Sequence, residues 1–221
     1  MLRALAATLL VTLVTSSPAR AGSVRPEVLD LAVRAVQCAN RQQLLGAPDT
    51  LTVIDYSLPS TEPRLWVLDV RKHEVLFEEL VAHGRESGED YATHFSNDPG
   101  SHQSSLGLFV TLDTYAGRHG RSLRLQGLEP GVNDRALERA LVMHGADYVS
   151  RDFGALHGRL GRSFGCPALA QDAAPKVIDR IRGGSPVFVY YPDPAWLASS
   201  AFLGTCKSGA KDLSAGLTPG E

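Results

Sequence analysis

Apolar and polar residues fall into three regimes along this chain. A first apolar run occupies Ala4 to Thr15. Between Pro26 and Leu45, Val28, Leu31, Ala32, Ala35 and Ala39 then recur at helical spacing behind a proline suited to a first turn, which predicts a helix with one core-facing stripe. "APD" (Ala47 to Asp49) breaks that pattern. The chain beyond it is β-like: "TLTVIDYS", "RLWVLDV", "EVLFEELV", "LGLFVTLD", "RSLRLQG" and "RALVMHG" are short apolar or alternating runs between polar or Gly/Pro-rich connections. In "RSLRLQG", Leu123 and Leu125 share one face while Ser122, Arg124 and Gln126 share the other, as in a strand with one wet face. A second helix is expected over Asp172 to Arg182, with Asp172 as cap and Gly183-Gly184 as stop, and "SPVFVYY" as a late buried strand. The expected fold is a β-rich α+β class: a single compact domain on a mixed β-sandwich-like core, with an N-terminal helix and a helix after the loop at 158–169.

The ends read differently from the middle. Arg3, the apolar run to Thr15 and "SSPARA" (16–21) fit a cleaved secretory signal over 1–21, since the run spans about 18 Å of helix against a hydrocarbon core of about 30 Å. No Cys follows the cleavage point and no Arg-Arg pair precedes the run, so the lipoprotein and twin-arginine routes have no support and general export is expected. The segment 207–221 has little apolar content and reads as a flexible tail. Residues 22–206 then form the expected domain, secreted to the periplasm or cell envelope, with no stable membrane insertion after cleavage. Losing Arg3 and Arg20 with the signal takes the formal charge from −2 to −4, which gives no reason to expect nucleic acid or an acidic membrane as partner. The sequence does not speak to oligomeric state.

Export changes how Cys38, Cys166 and Cys206 are read, because an oxidising compartment pairs thiols and leaves an odd one to be explained. Three pairings are possible. The simplest joins Cys38 to Cys206 and leaves Cys166 free; three buried, inert thiols is the alternative.

Cys166 lies in "GRLGRSFGCPAL" (Gly158 to Leu169), which admits several chemistries. Gly161-Arg162-Ser163-Phe164-Gly165 matches a Gly-x-Ser-x-Gly elbow, but all seven histidines precede Ser163 and "ALHGRLGR" is no buried strand. Ser208 and Lys211 form a Ser-x-x-Lys in the tail without partner motifs. The spacing His144, His157, Cys166 fits no standard zinc site, so neither metal nor cofactor is expected. A papain-like order, Cys before His, also fails. A Cys nucleophile whose base comes earlier is allowed: His144 ends a run that predicts a buried strand, Gly145 follows it, and Cys166 comes 22 residues later beside Gly165. His157 is the weaker candidate base.

His144-Gly145 followed by Ser163-Phe164-Gly165-Cys166 resembles the signature of L,D-transpeptidases of the YkuD type. The text from "SSLGLFVTLDTYAGRHG" to "GRLGRSFGCPAL" is most similar to the murein L,D-transpeptidase catalytic domain branch, over roughly Phe95 to Tyr191. The resemblance implies an exported enzyme acting on peptidoglycan stem peptides, with Cys166 as nucleophile, His144 as base and Ser163 orienting the base or the substrate, or merely forming the turn. It also implies an oxyanion site at the amides of Gly165 and Cys166. Better-known members carry an Arg two residues after the Cys; here Pro167-Ala168 follows, so Arg162 or Arg159 is expected to supply the positive charge. Gly145, Ser104 and Ser105 complete the candidate substrate contacts, with Tyr115 and His119 as further candidates. An L,D-carboxypeptidase and a peptidoglycan-binding module are the alternative functions.

Overall fold

The computed structural model describes residues 23–206; the expected signal segment (1–21) and tail (207–221) lie outside the described residues. α1 (Pro26–Arg41) buries Val28, Ala32, Ala35 and Ala39 of the stripe its spacing predicts, together with Cys38, while Leu31 is half-buried. It stops four residues short of Leu45 because the chain turns at Gln43, whose φ of 59° no helix accepts.

Nine strands come after it: β1 (Thr50–Asp55), β2 (Leu65–Asp69), β3 (Glu74–Glu79), β4 (Val81–Ala82), β5 (Gly107–Gly117), β6 (Gly120–Gly127), β7 (Val142–Gly145), β8 (Ala168–Leu169) and β9 (Pro186–Tyr190). Two helices interrupt them, α2 (Arg151–His157) and α3 (Ala174–Ile181), and α4 (Pro194–Ser199) follows β9. The strands make one mixed sheet in the order β3-β2-β1-β9-β5-β6-β7-β8-β4, with β1–β9 and β7–β8 parallel and the other pairs antiparallel. β3 and β4 stand at opposite ends of that order, yet only Leu80 separates them in the chain. One residue reaches about 3.5 Å, so the sheet curls until its edges are neighbours. The result is the β-rich α+β core expected, as a single nearly closed sheet, with the N-terminal helix and the helix after the loop in place. α1 packs on β9, β1 and β5, whereas α3 packs on β7, β1 and β6. β1, paired on both sides and covered by both helices, is buried at every position.

Two local expectations need correction, the run "EVLFEELV" is divided into β3 and β4, and one helix lies where none is expected. Ser122 is not on a wet face: it pairs with His144 across β6 and β7 and is buried. Asp172 does not cap α3, whose N-cap is Ala173 with no side-chain bond, the start being set by Pro175 in the first turn. The stretch before the Cys166 loop holds a helix, α2, capped by Ser150 Oγ accepting from Phe153 N and stopped by Gly158 at φ 70°. With Gly154 its one buried residue, α2 writes no apolar stripe into the sequence.

Two features hold the closure together. Arg64, wholly buried, donates Nε–H and Nη2–H to the Val81 carbonyl, Nη1–H to that of Leu58 and Nη2–H to His83 Nδ1 (2.7 Å), with Tyr56 across its face at 5.0 Å. A guanidinium only donates, so His83 Nδ1 accepts and its Nε2–H faces the Gly88 carbonyl at 3.3 Å. Burial and the adjacent charge depress His83 to about 3. At the far side a disulfide joins Cys38 of α1 to Cys206, with Cα atoms 5.6 Å apart, across 168 residues of sequence.

Because closing so long a loop restricts the unfolded chain by about 4–5 kcal/mol, reduction, or the pair C38S/C206S, is expected to lower the melting temperature by roughly 10 °C or more, read by calorimetry with and without reductant. The neutral His83 makes a second expectation. Its folded pKa lies below the unfolded 6.5, so the unfolded chain binds the extra proton; its stabilising share is full above pH 6.5 and is lost as pH falls toward 3. Denaturant titrations of wild type and H83Q should therefore diverge above pH 6.5 and converge toward pH 3.

Candidate active site

Cys166 is placed by backbone bonds to three separate segments. Leu160, fully buried, pins the loop after α2, with its N–H on Ser60 Oγ. Ser163 N donates to the His83 carbonyl and accepts Arg85 N on its own carbonyl, a bridge possible only because Gly84 lacks a side chain: a Cβ there would lie 2.4 Å from the His102 carbonyl oxygen and 2.9 Å from Gly165 Cα. Gly165 then takes φ 115°, open only to glycine. Beyond the cysteine, β8 pairs in parallel with β7, setting Ala168 opposite His144, and His144 N reaches the Pro167 carbonyl at 3.4 Å. The candidate base thus rides on β7, and the candidate nucleophile stands just ahead of its neighbour β8.

Both open into one cavity of about 610 Å³, walled further by Ser122, Arg139, Tyr148 and the tip of the β5–β6 hairpin. Cys166, half-buried and free, receives Val142 N–H on Sγ at 3.5 Å and points its S–H at the Ala140 carbonyl at 3.8 Å. Val142 lies two residues before His144 on β7. Burial pushes the Cys166 thiol up, while the Val142 amide and the charges of Arg139 and Arg118 pull it partly back. His144 Nδ1 lies 2.9 Å from the Gly145 carbonyl. A carbonyl only accepts, so the proton sits on Nδ1 and Nε2 keeps its lone pair. Burial depresses His144, as do His119 and Arg118; the Gly145 bond opposes them. The resting pair is therefore a neutral thiol and a neutral imidazole. His119, from the hairpin turn, stacks on His144 with ring centroids 4.4 Å apart.

The remaining expected residues divide. Ser163 does not touch His144; its Oγ accepts Gly165 N–H (3.1 Å) and donates to the Cys166 carbonyl (2.6 Å), so it fastens the turn. That commits the Gly165 amide and leaves the Cys166 amide as the candidate oxyanion donor, with no partner among the described residues. Ser104 also braces the turn, accepting Gly84 N–H and donating to the Gly165 carbonyl, whereas Ser105 holds Arg139 at 2.6 Å. Gly145 faces Gln171 and Ala174, where a Cβ would lie 2.5 Å from Gln171 Oε1, and its part is the carbonyl that fixes the His144 tautomer. Arg162, at the cavity wall, and Arg159 both grip Glu89 (2.7 and 2.8 Å) and hold its carboxyl below the usual range, so neither offers a spare charge. His157 is exposed on α2 against Phe153, outside the cavity. Tyr115 and His119 do line the cavity.

Sequence reasoning missed Arg139, Arg118 and Gly84. Arg139 crosses under the cysteine turn, its two Nη groups donating to the Ser96 and Gln103 carbonyls, Ser105 Oγ and Ser101 Oγ. Nothing in its surroundings, "LERALV", marks it; its partners come from 34 or more residues upstream. Among the described residues no group of three or more His, Cys, Asp or Glu could hold a metal ion, and no helix is long and apolar enough to cross a membrane.

The chain matches several solved L,D-transpeptidase structures. One from Mycobacterium smegmatis shares 17% identity over 65% of this chain and 59% of that chain, with a TM-score of 0.42. One from Mycobacterium tuberculosis H37Rv shares 18% over 65% and 58%, with a TM-score of 0.37. One from Xylanimonas cellulosilytica shares 16% over 76% and 95%, with a TM-score of 0.38. The chain thus spans less than two thirds of the first two. No curated protein matches the sequence significantly. The model of the L,D-transpeptidase catalytic domain, YkuD_2, matches residues 20–190, most of the chain, and the chain belongs to that family.

Proposed function

We propose that this protein is an exported peptidoglycan L,D-transpeptidase with Cys166 as nucleophile, acting through domain 22–206 after removal of a signal at 1–21. The observation that carries the reading is the His144 tautomer: with Nδ1–H held by the Gly145 carbonyl, Nε2 is left as a base in the cavity that also holds the free thiol. A binding module needs neither.

In the proposed reaction the carbonyl carbon of the L-centre of a stem-peptide diamino acid reaches Sγ. His144 Nε2 takes the thiol proton as the C–S bond forms, and the oxyanion is met by the Cys166 amide, a donor of a kind worth about 2.7–4 kcal/mol. The C–N bond to the terminal D-amino acid then breaks, its nitrogen taking the proton from the imidazolium, and a thioester remains. The amine of a second stem peptide attacks the thioester, gives its proton to His144 and releases Sγ, which recovers a proton. Because Cys166 is only half-buried, water has a path to the same thioester, and an L,D-carboxypeptidase outcome is the second reading. The turn fastened by Ser163 supports both by fixing the amide relative to the sulfur.

Incubated with disaccharide tetrapeptides, the mature protein is expected to release D-alanine and form cross-linked dimers, resolved by mass spectrometry; tripeptide without dimers would make it a carboxypeptidase. C166A should abolish both products, and H144A should lower the rate at least about 100-fold. No product, together with a thiol at 166 that no acylating probe labels, would return the protein to a binding role.

The pH dependence rests on the directions of the two shifts. Protonating His144 removes the base, and its pKa is depressed, so kcat/KM should hold as pH falls past 6.5 and drop only below it. The Cys166 thiol is raised from 9.0, so iodoacetamide labelling of the free enzyme should climb with a midpoint above pH 9. A labelling midpoint below about 7 would mean a resting thiolate and contradict the neutral pair.

A further inference from the structure

The cations around the cavity are not equivalent. Arg162 and Arg159 are spent on Glu89, and Arg85 pairs with Glu86 while lying 5.3 Å over the Phe164 ring. Arg124 is held by Asp113 and by the Tyr115 ring. Arg139 donates all four Nη hydrogens to the loop beneath the cysteine turn. Arg118 alone is left uncommitted: it gives only Nε–H, to His119 Nε2 at 2.9 Å, and neither Nη nitrogen has a partner among the described residues.

Its position is set by the longest strand pair. β5 and β6 run out past the sheet, and the chain reverses through Arg118 and His119 between the paired Gly117 and Gly120, the latter at φ 72°. The reversal overhangs the cavity, where Arg118 and His119 stand beside Cys166 and His144. Since a guanidinium only donates, His119 Nε2 accepts, and the His119 ring stacks on the His144 ring with 28° between their planes. Arg118 is thus one ring removed from the base, with a two-pronged donor edge free.

We propose that Arg118 anchors the terminal carboxylate of the donor peptide, so that the site reads a free C-terminus one residue beyond the bond it cuts. The assignment rests on the transpeptidase reading for the nature of the donor. With the scissile carbonyl at Cys166, the C-terminal carboxylate comes within one residue, about 3.8 Å between Cα atoms, and needs a cation at the cavity wall and not at its floor. A guanidinium edge meets a carboxylate through two parallel hydrogen bonds, the geometry that Arg118 has unspent. Docking has a consequence for the base. The positive charge of Arg118 disfavours protonation of His144; a carboxylate that cancels it makes the imidazole more ready to take the thiol proton. The substrate then completes the base it needs. An internal peptide bond or an amidated terminus lacks the charge to do so.

The test compares a stem tetrapeptide ending in D-alanine with the same peptide carrying a C-terminal carboxamide. Calorimetric titration of C166A should give roughly 10- to 100-fold tighter binding of the free acid. In C166A/R118Q the preference should shrink to within about two-fold, with C166A/R118K between, because a lysine keeps the charge but not the fork. Turnover by enzymes with Cys166 intact should show the same collapse in the acid-to-amide ratio of kcat/KM for R118Q. A preference that survives R118Q, an equal loss for both peptides, or failure of C166A to bind either peptide would overturn the assignment. An Arg118-dependent preference in binding, with no D-alanine released by wild type, would sink the transpeptidase reading and leave the carboxylate anchor standing. Release of D-alanine with an unchanged ratio in R118Q would do the reverse.

Discussion

Everything near the cysteine turn depends on burying one cation. Arg64, just before β2, reaches across the closure of the sheet to the Val81 carbonyl of β4, to Leu58 and to His83. A charge taken out of water is costly unless its hydrogen bonds are replaced. No carboxylate touches it among the described residues, so the replacement is made by two carbonyls, an imidazole nitrogen and the face of Tyr56. Burial, and after it the adjacent guanidinium, keep His83 neutral, and the His83 carbonyl receives Ser163 N–H. A sheet edge, a buried cation and the cysteine turn are therefore one connected network.

The second tie acts on the outside of the sheet. α1 buries its alanine stripe partly against β9, and the bond from Cys38 to Cys206 fixes the C-terminal side of the described chain to that helix. Between them Glu129, buried, accepts Leu108 N–H, Trp196 Nε1–H and the Ser200 hydroxyl, so that α4 is held to β5 by one carboxylate. β5 is the strand that carries the hairpin over the cavity. The overhang is thus anchored at its root while its tip stays exposed.

How much of this the sequence could say depends on how far apart the partners lie. The apolar runs mark most of the strands, because that signal is local, but the two-residue β8 is too short to read and "EVLFEELV" is divided into β3 and β4 at opposite edges of the sheet; the order of His144 before Cys166 in a Gly-flanked turn is equally local and points to two residues that the structure sets on one cavity. The helix α2 left no trace, since about two turns with a single buried glycine have no stripe to read. Arg162 and Arg159 were attractive because they flank the cysteine in sequence; the residue that takes up their charge, Glu89, lies more than 65 positions upstream. Arg118 was invisible for the converse reason, since a hairpin tip is recognisable as a turn but not as the roof of a cavity. Ser122 looked wet by alternation, and only pairing with His144 buries it. Sequence leaves Ser163 open between orienting the base or the substrate and forming the turn, and its bonds two and three residues onward give it to the turn.

The resting state of Cys166 has a bearing on its survival as a free thiol. Peroxides and disulfide exchange act on a thiolate, and burial keeps this sulfur protonated, its hydrogen directed at the Ala140 carbonyl and its lone pair engaged by Val142 N–H. The other two cysteines are already bonded to each other. In an oxidising compartment, a third thiol of ordinary acidity at the surface would drift to sulfenic acid or to a mixed disulfide. Here the half-buried Cys166 is held as a thiol, the form that oxidants attack least.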